Sequence, residues 1–208
     1  MFLVNVMAIS VDGEIAAEPL EDNDGRVTVG LSNAYDQKLV DDELASCDAV
    51  ILGAESVRAA GKLRPVKNRL GVYPMWVIFT VKGLDMSLPF WQQKNIPRLV
   101  VSPTPVKLHG DTVMNLNYQD KKPGEYILGH LKELGAEKVL LFGGGQINKI
   151  FYDENLVDEV KITLAPLLLG QGIARFLGTP LLSPRRLQLL NFHEMDDFLY
   201  LHYRVEKE

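Results

Sequence analysis

Short apolar runs recur along the chain: Phe2 to Ile9, broken only by Asn5; Asp48 to Gly53; Trp76 to Phe79; Leu99 to Val101; and Val139 to Phe142. Near-continuous apolar strands of this length are the mark of parallel sheet covered on both faces. Between them the period becomes helical. Ser32 is placed to N-cap a helix carrying Asp36, Leu39, Val40 and Leu44. Pro123 opens another, with Ile127, Leu128, Leu131 and Leu134 at helical spacing and Gly135 as its stop. Gln146 to Tyr152 forms a third, with Ile147, Ile150 and Phe151 on one face. Near the C-terminus the period falls to two. Val160, Ile162 and Leu164 alternate with Lys161 and Thr163, which predicts a half-buried strand. Leu189-Leu190 and Phe198 to Val205 flank Asp196-Asp197 and predict an antiparallel hairpin. Asp12-Gly13 reads as a turn, and Glu18 to Asp24, with Pro19, as an exposed acidic loop. Together these elements predict one α/β domain spanning residues 1–208. Its sheet is mixed, parallel at the centre and antiparallel at the C-terminal hairpin.

Composition narrows the function classes. The chain has 22 basic and 27 acidic residues, a net charge of -5. The basic pairs Lys121-Lys122 and Arg185-Arg186 stand apart and read as solvated loop charges. Without a basic face, nucleic acid is not the expected partner. Cys47 is the single cysteine, so no internal disulfide is possible and a reducing compartment is expected. It reads as a small buried side chain at a helix end. The start, Met1-Phe2-Leu3-Val4-Asn5, lacks the basic region of a signal peptide. No apolar run approaches the ~20 residues a membrane span needs. The expected location is the cytoplasm.

The candidate chemistry centres on Gly143-Gly144-Gly145, which follows an apolar strand and opens a helix. A helix start leaves backbone N–H groups unpaired, and glycine lets an anion approach them. Neither common phosphate-loop template fits. The dinucleotide fingerprint would need glycine where Asn148 stands, and no Gly-Lys-Ser/Thr ending exists for a Walker loop. Read alone, the run is either a phosphate loop or a tight strand-to-helix turn.

Several segments read together resolve this. Ala8-Ile9-Ser10-Val11-Asp12-Gly13-Glu14-Ile15-Ala16 resembles the opening motif of the riboflavin-biosynthesis reductases, the C-terminal half of a bifunctional deaminase–reductase with a dihydrofolate-reductase-like fold. Asp48 to Val57 resembles their second motif and Phe142-Gly143-Gly144-Gly145 their third. Leu156 to Val160, followed by Ala165-Pro166-Leu167-Leu168-Leu169-Gly170, resembles the fourth, and order and spacing agree over nearly the whole chain. The resemblance implies a three-layer α/β/α fold, a homodimer and a small-molecule substrate. The implied activity is that of an NADPH-dependent 5-amino-6-(5-phosphoribosylamino)uracil reductase, which opens a ribose into a ribityl chain. By motif, Ala8 meets the nicotinamide end, and Thr28 and Gly30 lie in a loop near substrate and cofactor. Gly53 and Ser56 line the cofactor, while Thr80 and Lys82 are candidates for its adenosine side. Gly143, Gly144, Gly145, Gln146 and Ile147 form the implied pyrophosphate loop. Ser10, Lys62, Leu63, Arg64 and Phe142 are substrate-side candidates. The four histidines and one cysteine have no paired spacing, so no metal site is expected.

Departures from the family pattern fall on the substrate side. Val6 stands where Lys or Asn is common, Leu44 where Arg is common, and Phe142 where Glu is common. Ala59-Ala60-Gly61-Lys62-Leu63-Arg64 replaces an Asp-Asp/Asn-Pro-x-Leu segment. A lost charged hydrogen bond costs about 1.5–3 kcal/mol, so several such losses bear on which substrate is accepted. A related reductase of another heterocyclic or carbonyl substrate, or a non-catalytic nucleotide-binding protein, therefore stays open. Asp12 is the acidic residue nearest the implied nicotinamide, yet Asp-Gly after a strand is usually a turn. No catalytic acid is assigned. His193 and His202 read as structural, and Trp76 and Trp91 as core or interface residues.

Overall fold

The computed structural model describes residues 1–85, 87–106, 113–170 and 174–207. The chain opens with β1 (Phe2–Ser10), β2 (Glu14–Ala16), α1 (Asn23–Thr28), α2 (Ala34–Leu44), β3 (Ala49–Gly53) and α3 (Ala54–Ala60). It continues through β4 (Met75–Phe79), a 3₁₀ turn at Pro89–Gln92, β5 (Arg98–Ser102), β6 (Val113–Asn117), α4 (Pro123–Glu133) and β7 (Lys138–Gly143). The last elements are α5 (Gly145–Asp153), β8 (Glu159–Ala165), β9 (Ala174–Arg175), β10 (Leu187–Met195) and β11 (Phe198–Val205).

Nine strands form one sheet in the order β10-β11-β8-β1-β7-β3-β4-β5-β6. All neighbours from β8 to β6 run parallel, and β11 and β10 close one side antiparallel. β2 and β9 pair separately. The predicted mixed sheet is thus observed, and so is the hairpin, with Asp196 and Asp197 both at positive φ in its turn. Side-chain alternation along each strand sends residues into two cores. Leu3, Ile51, Val77 and Leu141 pack under α4 and α5 through Ile127, Leu131 and Phe151. Val4, Val6, Val50 and Leu140 pack against Val40 and Leu44 of α2 and Val57 of α3. The architecture is three-layer α/β/α.

Four local expectations change. Asn33, not Ser32, caps α2: its side chain accepts from Asp36 N, while the Ser32 hydroxyl donates to Asp36 Oδ2. The acidic loop is partly helical, because Asp22 caps α1 by accepting from Gly25 N. In β8, Thr163 is buried and Ile162 and Leu164 only partly so. β8 is an internal strand, and α2 covers its second face through Asp36, which accepts from Thr163 Oγ1 at 2.6 Å. Arg185 is not merely solvated, since its Nε donates to Tyr152 O at 3.1 Å.

Candidate active site

The crevice follows from how β1 and β7 part. They pair from Phe2↔Lys138 to Asn5↔Leu141, and beyond this β1 continues against β8 alone. On the other side of β7, Ile51 and Leu52 pair with Leu141 and Gly143, so Phe142 is a bulged residue. A bulge re-aims its side chain, and Phe142 lines the opening with Ala8, Val40 and Arg64. The connections leave in opposite senses here: β1 leads through α2, on one face, to β3, and β7 through α5, on the other, to β8. Such a reversal at the carboxyl ends of parallel strands is where α/β folds form ligand crevices.

The glycine run sits at the end of β7. Gly143 and Gly144 have φ of 72° and 91°, conformations that side chains resist. A Cβ on Gly143 would overlap Met7 Cε and Asn148 Oδ1, and one on Gly145 would overlap the Arg175 carbonyl oxygen. These two glycines serve internal packing. Gly144 differs: beyond its own neighbours, the nearest atom to a Cβ there would be Ser56 Oγ, at 3.9 Å. Gly144 is the N-cap of α5 and Gly53 that of α3, neither with a side-chain cap bond. A Cβ on Gly53 would lie 3.2 Å from Ile147 Cγ1. Gly53, Ser56, Gly144 and Ile147, far apart in sequence, thus form one cradle from two neighbouring helix starts. Open space over Gly144 at two neighbouring helix starts suits an anion such as the pyrophosphate of a dinucleotide. The Gln146 side chain packs against Gly178 instead.

Beneath the run lies a buried polar network. Asn5 Nδ2 donates to Leu141 O at 2.9 Å and to Asn148 Oδ1 at 3.3 Å, and Tyr152 Oη donates to Asn5 Oδ1 at 3.1 Å. Asn148 Nδ2 donates to Phe176 O at 2.9 Å. Burial pushes the Tyr152 hydroxyl well above its usual value, so it stays a donor. Asn148, where a dinucleotide fingerprint would have glycine, is the post that fixes this loop.

The other candidates divide. Ala8 is buried at the crevice, and its carbonyl accepts from Arg26 Nη2 at 3.1 Å. Arg64 lines the same space but is already engaged, with Asp41 Oδ1 at 2.6 Å and Gln37 Oε1 at 2.5 Å. Lys62 is exposed. Leu63 is a core residue at 2% exposure, its backbone clamped by both ends of the Gln93 amide. Ser10 holds the turn, donating to Asp12 Oδ1 and accepting from Glu14 N. Thr28 ends α1, exposed, with its hydroxyl on Asp24 O; Gly30 follows at φ 84°. Thr80 is buried past β4, bonded to Gly83 O at 2.9 Å, and Lys82 is exposed. Arg26, Asp36 and Gln37 also line the crevice and were not anticipated. The one signal for Arg26 was a lone basic residue ending an acidic stretch.

Comparison with known proteins agrees with this geometry. Riboflavin biosynthesis protein RibD of Corynebacterium ammoniagenes is 33% identical over 87 residues, covering 40% of this chain and 26% of that protein. The chain therefore spans only about a quarter of that curated relative. A pyrimidine reductase-like protein of Corynebacterium diphtheriae has a TM-score of 0.81 at 16% identity, covering 100% of this chain and 92% of that one. A Thermotoga maritima diaminohydroxyphosphoribosylaminopyrimidine deaminase/5-amino-6-(5-phosphoribosylamino)uracil reductase has a TM-score of 0.77 at 20% identity, covering 98% and 56%. Dihydrofolate reductase of Enterococcus faecalis, solved with NADP(H), gives 0.60 at 14%, covering 99% and 97%. These likenesses fix the fold as dihydrofolate-reductase-like. The family described as the RibD C-terminal domain matches residues 1–199, and the chain belongs to that family.

Proposed function

We propose that this chain is an NADPH-dependent oxidoreductase acting as a 5-amino-6-(5-phosphoribosylamino)uracil reductase of riboflavin biosynthesis. One observation carries the reading. The cradle at Gly53, Ser56, Gly144 and Ile147 lies beside the crevice lined by Ala8, at the point where β1 and β7 separate. The cradle residues hold the pyrophosphate, and Ala8 borders the nicotinamide. When bound there, NADPH supplies a hydride. The protein's part is orientation: Arg26 fixes the Ala8 carbonyl, and the Asn5–Asn148–Tyr152 network fixes the loop.

The crevice floor favours a second reading. Val40 and Phe142, which line the crevice, are apolar and pack in one cluster. A heterocycle with a less polar edge than the aminouracil suits such a floor. Titration with NADPH and NADH, followed by NADPH oxidation with the aminouracil phosphate, decides between the readings. Saturable NADPH binding with turnover is expected. Binding without turnover of that substrate shifts the assignment to the second reading, or, if a wider panel also fails, to a nucleotide-binding role. No binding of either nucleotide overturns both readings.

Residues 1–208 act as one domain in this reading, working in the cytoplasm as a homodimer. Among the described residues no helix is long and apolar enough to cross a membrane. The lone thiol of Cys47 is buried. Support for the homodimer comes from β10, where Leu187, Leu189 and Phe192 stand exposed on one face.

A further inference from the structure

The ladder that joins β1 to β7 ends at Asn5↔Leu141. Past it, the stretch of β1 carrying Ala8 and Ser10 and the glycine run after β7 form two walls of the crevice. One residue bridges them. Phe176 N donates to Gly13 O at 3.1 Å, on the turn after β1, and Phe176 O accepts from Asn148 Nδ2 at 2.9 Å, in α5 behind the glycines. Arg175 O, one residue earlier, lies so close to Gly145 that a Cβ there would overlap it. The segment making this bridge has little backbone pairing of its own. Among the described residues β9 is two residues long and pairs only with β2, at Glu14↔Arg175 and Ala16↔Ala174. The Glu14 side chain supplies the rest. Its Oε2 accepts from Ala174 N and its Oε1 from Arg175 Nε, both at 3.2 Å. Glu14 is 2% exposed, and its own N–H donates to the buried Ser10 hydroxyl at 3.0 Å. Burying a carboxylate is costly unless it is paired and hydrogen-bonded, and both of its partners lie on β9. The Arg175 side chain is mostly exposed, so that ion pair is screened and the bond from Ala174 N carries the link.

We propose that Glu14 is a positioning residue: by fixing β9 it holds Phe176 across the crevice, and so sets the turn after Ala8 and Ser10 against the loop that seats the cofactor. The assignment rests on the cofactor reading above and adds to it what keeps the two walls in register. Neither Glu14 nor Phe176 is given a role by the family resemblance. A dinucleotide on the glycine run steadies Asn148 and β9 and, through Phe176 and Glu14, the turn beyond the reaction site. That coupling is carried by contiguous hydrogen bonds. The glycine run keeps a second support in the Asn5–Asn148–Tyr152 network, so removing Glu14 loosens the β1 wall and leaves nucleotide affinity in place.

Backbone hydrogen exchange of the full chain is followed with and without saturating NADPH in the wild type, Glu14→Ala and Glu14→Gln. In the wild type, NADPH should slow exchange at least about fivefold at residues 13–16 and 174–176 as well as at 144–148. In Glu14→Ala the NADPH Kd should stay within about threefold of the wild type. Protection should remain at 144–148 and vanish at 13–16 and 174–176. Glu14→Gln, which keeps an oxygen to accept from Ala174 N, should restore most of it. With the aminouracil phosphate, Glu14→Ala should lower kcat roughly ten- to a hundredfold at that unchanged NADPH affinity, and Glu14→Gln far less. Wild-type protection confined to 144–148 overturns the proposal, and this result needs no variant to fold. Full protection in Glu14→Ala, or an unchanged kcat, overturns it too. So does a loss of NADPH affinity as large as the loss of kcat, which would make Glu14 structural only. The exchange pattern requires no substrate, so it decides even where the aminouracil phosphate is not turned over. NADPH binding that never reaches β9 sinks this assignment alone, whereas failure of NADPH to bind the wild type sinks the reductase reading with it.

Discussion

Asp12 accepts from the Ser10 hydroxyl at 2.6 Å and from the backbone N–H groups of Gly170 and Leu169 at 2.7 and 3.1 Å. These bonds, the Ser10 hydroxyl foremost, hold its carboxyl below the ordinary 3.8, at about 2. An acid that strong has no proton to give at neutral pH, so Asp12 ties the first turn to the strand-end loop rather than serving as a proton donor. The pH dependence follows from the sign of the shift. A carboxylate depressed in the folded state stabilises it above its unfolded pKa, and that stabilisation fades as pH falls through the folded value. Asp12→Asn should therefore melt lower than the wild type at neutral pH, with the gap closing between about pH 4 and pH 2. Thermal melts across that range test this. A gap that stays constant to the acid end would mean that the charge is irrelevant. The same residue shows how far sequence reading reaches at this scale: Asp-Gly gave the turn, but the partners Leu169 and Gly170 lie on a distant loop that only the fold brings near.

The N-terminus of α4 is satisfied from another element. Lys122 supplies no side-chain cap, and the Glu154 carboxylate, just past α5, accepts from Glu125 N at 2.7 Å and Gly124 N at 3.2 Å. Removing a cap acceptor costs a helix about 0.5–2 kcal/mol. Glu154→Ala should destabilise the fold within that range, and Glu154→Gln, which keeps an acceptor oxygen, should do so less; urea unfolding midpoints measure both. If the two variants unfold alike, the cap carries no weight. Elements with an apolar stripe were legible, because burial wrote their period: α2, α4, α5 and the central strands. α1 and α3 were not. α1 buries no residue at all, and α3 buries only Ala54 and Val57, so neither leaves a periodic trace. In β8 the polar face misled, since Thr163 and Lys161 turn toward α2, where Asp36 and Glu43 receive them. The glycine loop was readable as a loop. That Ser56 faces Gly144, and that Arg26 meets Ala8, depends on parallel strands brought side by side by crossovers, which spacing does not encode.

Seen whole, the molecule is built on one nine-stranded sheet whose two ends are treated differently. Among the described residues, β10 forms one edge and pairs only with β11. Leu187, Leu189 and Phe192, on one face, are 43–61% exposed, and Leu190 and Met195 are 37% and 39% exposed. A monomer seldom leaves so many large apolar side chains together on one strand, and an unpaired edge is itself a surface that invites association. A two-fold pairing, β10 against its symmetry mate, would cover both the side chains and the edge in a self-complementary contact. The crevice at Ala8 opens between β1 and β7, two strands inward from the hairpin, so breaking this contact should leave the cofactor cradle in place. Leu189→Lys with Phe192→Glu should convert the protein to a monomer in sedimentation velocity while NADPH affinity stays within about threefold of the wild type, a change of under 1 kcal/mol. A wild type that sediments as a monomer would remove the interface. Loss of NADPH binding on dissociation would instead show that the partner completes the site.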